Sequence, residues 1–394
     1  MRILTVHNYY QKAGGEDKVF AAESAMLEAK GNQVERFSMH NDAVTGMSKV
    51  KLAQATIWNR DVYRELSDLI RDKGIEIVHF HNTFPLISPA AYKAAYDAGA
   101  AVVQTLHNFR FICPTAIFFR DGKVCEDCLG KTPPYPGVLH ACYRDSRVQS
   151  AAVATMLSVH RLLGTYRKYV NRYITMTEFG RQKFIEAGME PDQIIVKPHF
   201  LNNDPGVAPG PGDYMLFAGR LTPEKGVLTL LEAWKSIPDV PLKIAGTGPC
   251  EDEMRATIQQ HNLNHVEMVG HLPFEETMAL FQGARALIFP SEWYETFGMV
   301  ALEAFATGIP VIAAHIGAVA EVVDHGRTGY HFNPGDADDL KQQVRSMWDN
   351  DMREMRQAVR REYEEKYTVD KNYEYTMAIY EDAIRRRKGV SSEV

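Results

Sequence analysis

The chain has 394 residues, 45% of them hydrophobic and 24% charged, with a formal net charge of −6. That length exceeds the ~250–300 residues at which single cores usually split, so two domains are expected in an ordinary globular composition. The negative balance excludes general nucleic-acid binding and leaves room only for a local basic pocket that takes an anionic ligand.

The N-terminal MRILTVHNYY has one charge ahead of a short β-like run and lacks the apolar core and small-residue cleavage site of a secretory signal. No run approaches ~18 uninterrupted apolar residues, the length of a membrane-crossing helix, and a cytoplasmic location is expected. Runs rich in β-branched residues and closed by polar ones, RILTVHN, EIVHFHN, AVVQTLHN, RYITMTE and QIIVKPH, alternate with helix-length segments in the first half. The second half repeats the arrangement with YMLFAGR, PLKIAGTG, HVEMVGHL, RALIFPS and PVIAAHIG, spaced by helical stretches such as Val227 to Trp234 and Glu251 to Gln260. This alternation predicts an α/β fold with parallel sheets covered by helices on both faces.

In chain order, QKAGGEDKVF follows the first strand and opens the first helix. Gly14 and Gly15 let the backbone come close to a phosphate or sugar, and the helix start behind them presents unpaired amides. Paired glycines also make ordinary strand-to-helix turns, and the spacing is not the three-glycine dinucleotide fingerprint. Residues 108–145 read as an insertion holding Cys113, Cys125, Cys128 and Cys142. A central C-x-x-C flanked by single cysteines suits a tetrahedral structural zinc site; a redox pair at Cys125 and Cys128, or unpaired buried thiols, are the alternatives. MLSVHRLLGTYRKYVNRYITM then reads as a helical pattern with Arg161, Arg167, Lys168 and Arg172. Such a helix is either solvated on one face and packed on the other, or in contact with an anionic membrane.

The Pro- and Gly-rich segment 202–214 is the linker, giving domains at 1–204 and 205–368. Arg220 ends the first strand of the second domain and Lys225 opens the next helix, a cation pair suited to clamping a diphosphate unless it only makes surface salt bridges. ALIFPSEWYETFGMVALEAFATGIPV reads as a strand, a loop carrying Glu295, and a helix from about Thr296. Phe297, Gly298 and Met299 would offer backbone amides to phosphate oxygens. Glu303, in apolar company two turns further in, suits a ribose diol. Residues 369–394 form a last helix ending in Arg385, Arg386, Arg387 and Lys388, charges that fit a solvated helix C-terminus. Two parallel-sheet domains would bind their ligand in a cleft between strand C-terminal ends.

The Glu295 to Glu303 spacing, AGRLTPEKG, the N-terminal AGGED and the strand order resemble the retaining glycosyltransferases of family 4, with the GT-B fold of two facing Rossmann-like domains. The resemblance implies that Arg220 and Lys225 hold the diphosphate of a nucleoside-diphosphate sugar, that Glu303 holds its ribose, and that Glu295 meets the sugar. It also puts Gly14 and Gly15 beside the phosphates and His107 near donor sugar and acceptor; His107 as a buried structural histidine is the alternative. Many relatives have aspartate after that histidine, where this chain has Asn108. The resemblance further implies retention by same-face attack, with the leaving phosphate helping to deprotonate the acceptor and with no protein nucleophile or catalytic metal expected. The implied acceptor is a saccharide or lipid-linked saccharide of cell-surface polysaccharide or glycoconjugate synthesis, met in the cytoplasm or at the inner membrane face. The C-terminal helix would pack back on the N-terminal domain. A nicotinamide-dependent oxidoreductase would need a three-glycine turn and a ribose-binding acid about twenty residues later, in places where the chain has neither. A sugar-nucleotide-binding protein would bind donor without turnover.

Overall fold

The computed structural model describes residues 1–11 and 14–389, so the end of the expected 369–394 segment lies outside the described residues. The chain divides into two compact units, one comprising Met1–Phe118, Glu126–Pro198 and the chain from Asn372 onward, the other Phe119–Cys125 and His199–Lys371.

The strands in chain order are β1 (Arg2–Tyr9), β2 (Gln33–His40), β3 (Ile77–Asn82), β4 (Ala101–Thr105), β5 (Phe119–Arg120), β6 (Lys123–Val124), β7 (Arg172–Thr175) and β8 (Ile194–Val196). Six of them make an all-parallel sheet in the order β2-β1-β3-β4-β7-β8, and β5 and β6 pair as a two-stranded antiparallel hairpin. Every residue of β3, β4 and β7 is buried, as expected for central parallel strands covered on both faces. The last helix, Val369–Arg387, contributes to this unit from Asn372: Tyr380 is buried with its hydroxyl 2.8 Å from His79 Nδ1, and Asp382 pairs with Arg172.

The second unit repeats the plan with β9 (Tyr214–Ala218), β10 (Leu242–Ala245), β11 (Val266–Gly270), β12 (Ala284–Phe289), β13 (Val311–Ala314) and β14 (Gly329–Phe332), all parallel in the order β11-β10-β9-β12-β13-β14. The strand order reverses direction between β1 and β3 in the first sheet and between β9 and β12 in the second. In open α/β sheets ligands collect at the C-terminal side of such switch points.

Three sequence expectations need correction. β2 and β14 are strands that the hydrophobic pattern does not reveal. Both are edge strands; β2 buries only Phe37, and the four-residue β14 leaves Tyr330 and His331 half-buried. The expected continuous basic helix breaks at Gly164, in the left-handed region with φ 67, into the helices Arg147–Leu162 and Thr165–Tyr169, and the chain then enters β7. Arg172 therefore lies buried in a strand, paired with Asp382, and belongs to no basic helical face. The helix expected from Thr296 spans Met299–Ala306, because Gly298 takes φ 99 and caps it.

Candidate active site

The switch point of the second sheet gathers most of the motif residues. Past β9 the chain runs through Gly219 to Arg220, which is exposed and whose side chain has no hydrogen-bond or ion-pair partner among the described residues. A short 3₁₀ turn, Pro223–Lys225, follows. Gly226 closes it in the left-handed region at φ 67, where a Cβ would lie 1.9 Å from the Pro290 carbonyl oxygen. That close approach binds the turn after β9 to the loop after β12, and Glu292 N–H donates to Glu224 O across it at 2.9 Å.

Lys225 Nζ lies 2.5 Å from Glu295 Oε1. The same oxygen accepts from Ser291 Oγ at 2.9 Å and from Trp293 Nε1 at 2.8 Å, and Glu295 is buried. The Lys225 ammonium also lies 5.4 Å from the Trp293 ring centroid. One carboxylate oxygen thus receives three donors, so the loop Ser291–Glu295 is fixed by the charge pair at its end. Phe297 turns its ring inward, 5.3 Å from His199 and 5.9 Å from Tyr367, and leaves only backbone for a ligand. A Cβ on Gly298 would meet the Phe289 ring at 2.6 Å, so close packing and positive φ both require glycine there. Glu303 is half-buried on Met299–Ala306 and lies just over one turn from the helix start, not two, because the helix begins later than the sequence indicates.

One part of this site escapes motif reading. After β10, Gly246 takes φ 143, and a Cβ there would sit 1.8 Å from Gly219 O; one on Gly248 would sit 2.3 Å from Leu221 O. The Gly246–Thr247–Gly248 loop is packed backbone to backbone against the segment carrying Arg220. The available signal is a pair of glycines directly after a strand.

At the switch point of the first sheet, Gly14 caps the helix Gly15–Ala29, and its N–H donates to Asp17 Oδ2 at 2.8 Å. Neither Gly14 nor Gly15 has positive φ, and a Cβ on either would meet nothing within 4 Å. The protein's own packing therefore does not demand glycine at these positions. His107 follows β4, half-buried, with Nε2 3.0 Å from His81 Nδ1. Its neighbour Asn108 donates through Nδ2 to Glu16 Oε2 at 3.2 Å, which ties His107 and the glycine turn to one rim of the sheet. Glu16 is a second residue that motif reading misses. Burial, then the Asp17 charge, push its carboxyl up to about 7, against which Arg110, Asn108 and Tyr10 act only partly.

None of Cys113, Cys125, Cys128 and Cys142 is joined in a disulfide, and among the described residues no three of them bring their sulfurs within 4.8 Å of one another. Cys113 Sγ is 3.1 Å from Thr115 Oγ1, and Cys128 Sγ lies 3.8 Å from Pro134 O. Among the described residues one group has metal-like spacing, Glu23, His79 and His81, and there the Lys197 ammonium already supplies the cation beside Glu23. Among the described residues no helix is long and apolar enough to cross a membrane.

Two six-stranded parallel sheets with ligand-type residues at their switch points define the GT-B class. The structure of Anabaena HepE in complex with UDP superposes with a TM-score of 0.68 at 18% identity, over 97% of this chain and 100% of that one. Residues 203–366 match the family described as glycosyl transferases group 1. Over 154 residues the chain is 38% identical to a glycogen synthase of Mycobacterium tuberculosis, covering 38% of this chain and 37% of that protein. Over 162 residues it is 32% identical to O-antigen chain mannosyltransferase C of Escherichia coli, covering 40% and 43%. These matches make residues 203–366 similar to the group 1 glycosyl transferases and give the chain a GT-B fold, while the alignments span well under half the length of these two curated relatives.

Proposed function

We propose that the protein is a retaining glycosyltransferase that moves a sugar from a nucleoside-diphosphate donor to a saccharide or lipid-linked saccharide acceptor in cell-surface polysaccharide or glycoconjugate synthesis. The observation that carries the reading is the Lys225–Glu295 pair at the second sheet's switch point, with the exposed Arg220, which has no partner among the described residues, at the neighbouring strand end. Cleaving a sugar–diphosphate bond leaves an oxocarbenium-like sugar and an anionic leaving group, so fixed cations and helix-start amides aimed at the diphosphate lower the barrier. In this reading Arg220 and Lys225 bind the diphosphate, the amides of Phe297, Gly298 and Met299 add donors, Glu303 accepts from the ribose, and Glu295 orients the sugar. Gly14 and Gly15 admit the phosphates from the first domain, and His107 faces sugar and acceptor.

Two relatives bear on the chemistry: the HepE structure is described as a UDP complex, and the E. coli protein as an O-antigen chain mannosyltransferase. A lipid-linked acceptor would be met at a membrane surface, and Leu162 and Leu163 are exposed beside the turn to Arg167 and Lys168. Vesicle sedimentation indifferent to anionic lipid would remove that partner from the proposal. The deciding experiment for the enzyme is a thermal-shift screen with uridine, guanosine and adenosine diphosphate sugars, followed by a transfer assay with whichever raises Tm. Stabilisation by one base class with sugar transfer is expected, since a ligand of the native state raises Tm by mass action. Stabilisation without turnover would leave only a binding protein, and no stabilisation by any of the three would defeat the reading.

A further inference from the structure

Behind His107 lies a chain of buried polar groups that the proposed reaction does not use. His81, on β3, is 2% exposed; its Nδ1 is 3.0 Å from His107 Nε2, and the two rings lie nearly parallel, 18° apart, with centroids 5.2 Å apart. On its other side His81 Nε2 faces Glu23 Oε2 at 3.4 Å, a charge contact longer than a well-formed hydrogen bond. Glu23 comes from the helix Gly15–Ala29 and is 1% exposed. Its other oxygen is paired with the Lys197 ammonium, which Asn372 Oδ1 of the last helix also accepts from at 3.0 Å. His79 completes the cluster, with Tyr380 and Thr105 hydroxyls on its two nitrogens, each at 2.8 Å.

Protonation follows from what each nitrogen faces. A ring nitrogen turned toward a carboxylate oxygen must carry the hydrogen, because two lone pairs facing each other repel. His81 therefore holds its proton on Nε2. Burial, with the like charges of the neighbouring imidazoles and of Lys197, keeps its pKa well below the ordinary histidine value, so the ring is neutral and Nδ1 is a bare acceptor. The group opposite that lone pair must donate, and it is His107 Nε2–H. A neutral His107 then has Nδ1 as its acceptor nitrogen.

We infer that Glu23 and His81 are positioning residues that set the tautomer and ring orientation of His107, with the Lys197 ammonium paired to Glu23 in the core. The arrangement resembles in logic a carboxylate that orients a catalytic imidazole through one of its ring nitrogens, here extended by a second imidazole. The consequence for turnover rests on the transferase reading above; the tautomer itself does not.

The test begins with the full-length protein labelled with ¹⁵N-histidine, in long-range proton–nitrogen correlation spectra, with the His107 signals assigned by their loss in His107→Gln. The expected result is the Nε2–H form of neutral His107; the Nδ1–H form would overturn the inference. Kinetics then compare His81→Asn with His81→Leu. Asparagine can present a carbonyl oxygen near the former Nδ1 and an amide toward Glu23, whereas leucine fills the apolar space better but offers no acceptor. Positioning predicts that His81→Asn retains activity while His81→Leu falls about 10- to 100-fold further in kcat, the scale of lost orienting partners, with donor KM little changed. Equal losses in the two, or a better leucine variant, would reduce His81 to packing. Should the leucine variant not fold, the tautomer in the parent protein still decides. A protein with the expected tautomer and no sugar transfer would defeat the functional reading and leave this one standing.

Discussion

Arg220 and Lys225 look equivalent in the sequence, yet their surroundings predict different consequences of removal. Arg220 is exposed and without a protein partner among the described residues, so under the proposed diphosphate role Arg220→Ala would remove a ligand contact and little else. Sugar transfer is expected to fall about 100-fold, the scale of one lost preorganised donor, with the urea midpoint unchanged. Lys225 neutralises Glu295 in a site where the two side chains are 17% and 10% exposed. Lys225→Ala leaves a buried carboxylate without its cation, a change that costs about 3 kcal/mol in buried pairs. Both activity and the urea midpoint of the second unit should drop; a variant with normal stability would show that water replaces the ammonium freely. Gly15 provides the converse case. With negative φ and open space where a Cβ would stand, Gly15→Ala should keep or slightly raise stability, since alanine favours the helix by up to ~1 kcal/mol. If phosphates approach this backbone, donor KM should nevertheless rise; an unchanged KM would return the glycine pair to an ordinary turn.

Elements are legible where burial writes a pattern into them. β3, β4 and β7 are buried throughout and appear in the sequence as compact runs such as IVHFHN and AVVQT, whereas β2, reading QVERFSMH, is half solvated and looks like helix or loop. β14 is four residues long and carries tyrosine and histidine, too short for any periodicity to emerge. The start of the Met299–Ala306 helix is hidden because its cap is a backbone conformation, Gly298 at φ 99, and no side chain announces it. For the same reason the backbone contacts made possible by Gly246 and Gly248 cannot be read from the sequence: a missing Cβ is visible, but the carbonyl it makes room for is distant along the chain. The buried relay of Glu23, His81 and Lys197 joins three separated elements and carries no local spacing. These caps are testable as elements. Gly298→Ala combines positive φ with a 2.6 Å approach to Phe289, so it should destabilise by more than about 1 kcal/mol and weaken donor binding together. A variant of wild-type stability would mean that the helix can begin elsewhere.

At the scale of the molecule, titratable groups are buried unevenly between the units, and this sets how the protein should respond to acid. In the first unit burial holds His79 down at about 4, His81 well below its ordinary range, and His7 and His160 below 6.5. In the second unit His331 is lowered for the same reason. A histidine whose folded pKa is depressed binds fewer protons folded than unfolded, so the stability it supports is present above 6.5 and is lost as pH falls toward the folded value. For His79 the drop from 6.5 to about 4 corresponds to about 3 kcal/mol, at roughly 1.4 kcal/mol per unit. Glu16 acts in the opposite sense: its carboxyl is raised from 4.5 to about 7, so its unfavourable contribution grows as pH rises through that window and disappears in acid. One such group against four histidines leaves the first unit losing stability on acidification. Because the chain has two compact units, denaturation need not follow a single transition. Hydrogen exchange read unit by unit should therefore show protection in β3 and β4 collapsing as pH falls from about 6.5 toward about 4, while β12 and β13 retain more of theirs after correction for intrinsic exchange rates. Parallel loss in both sheets would mean that the acid response is not governed by the buried histidines of the first unit.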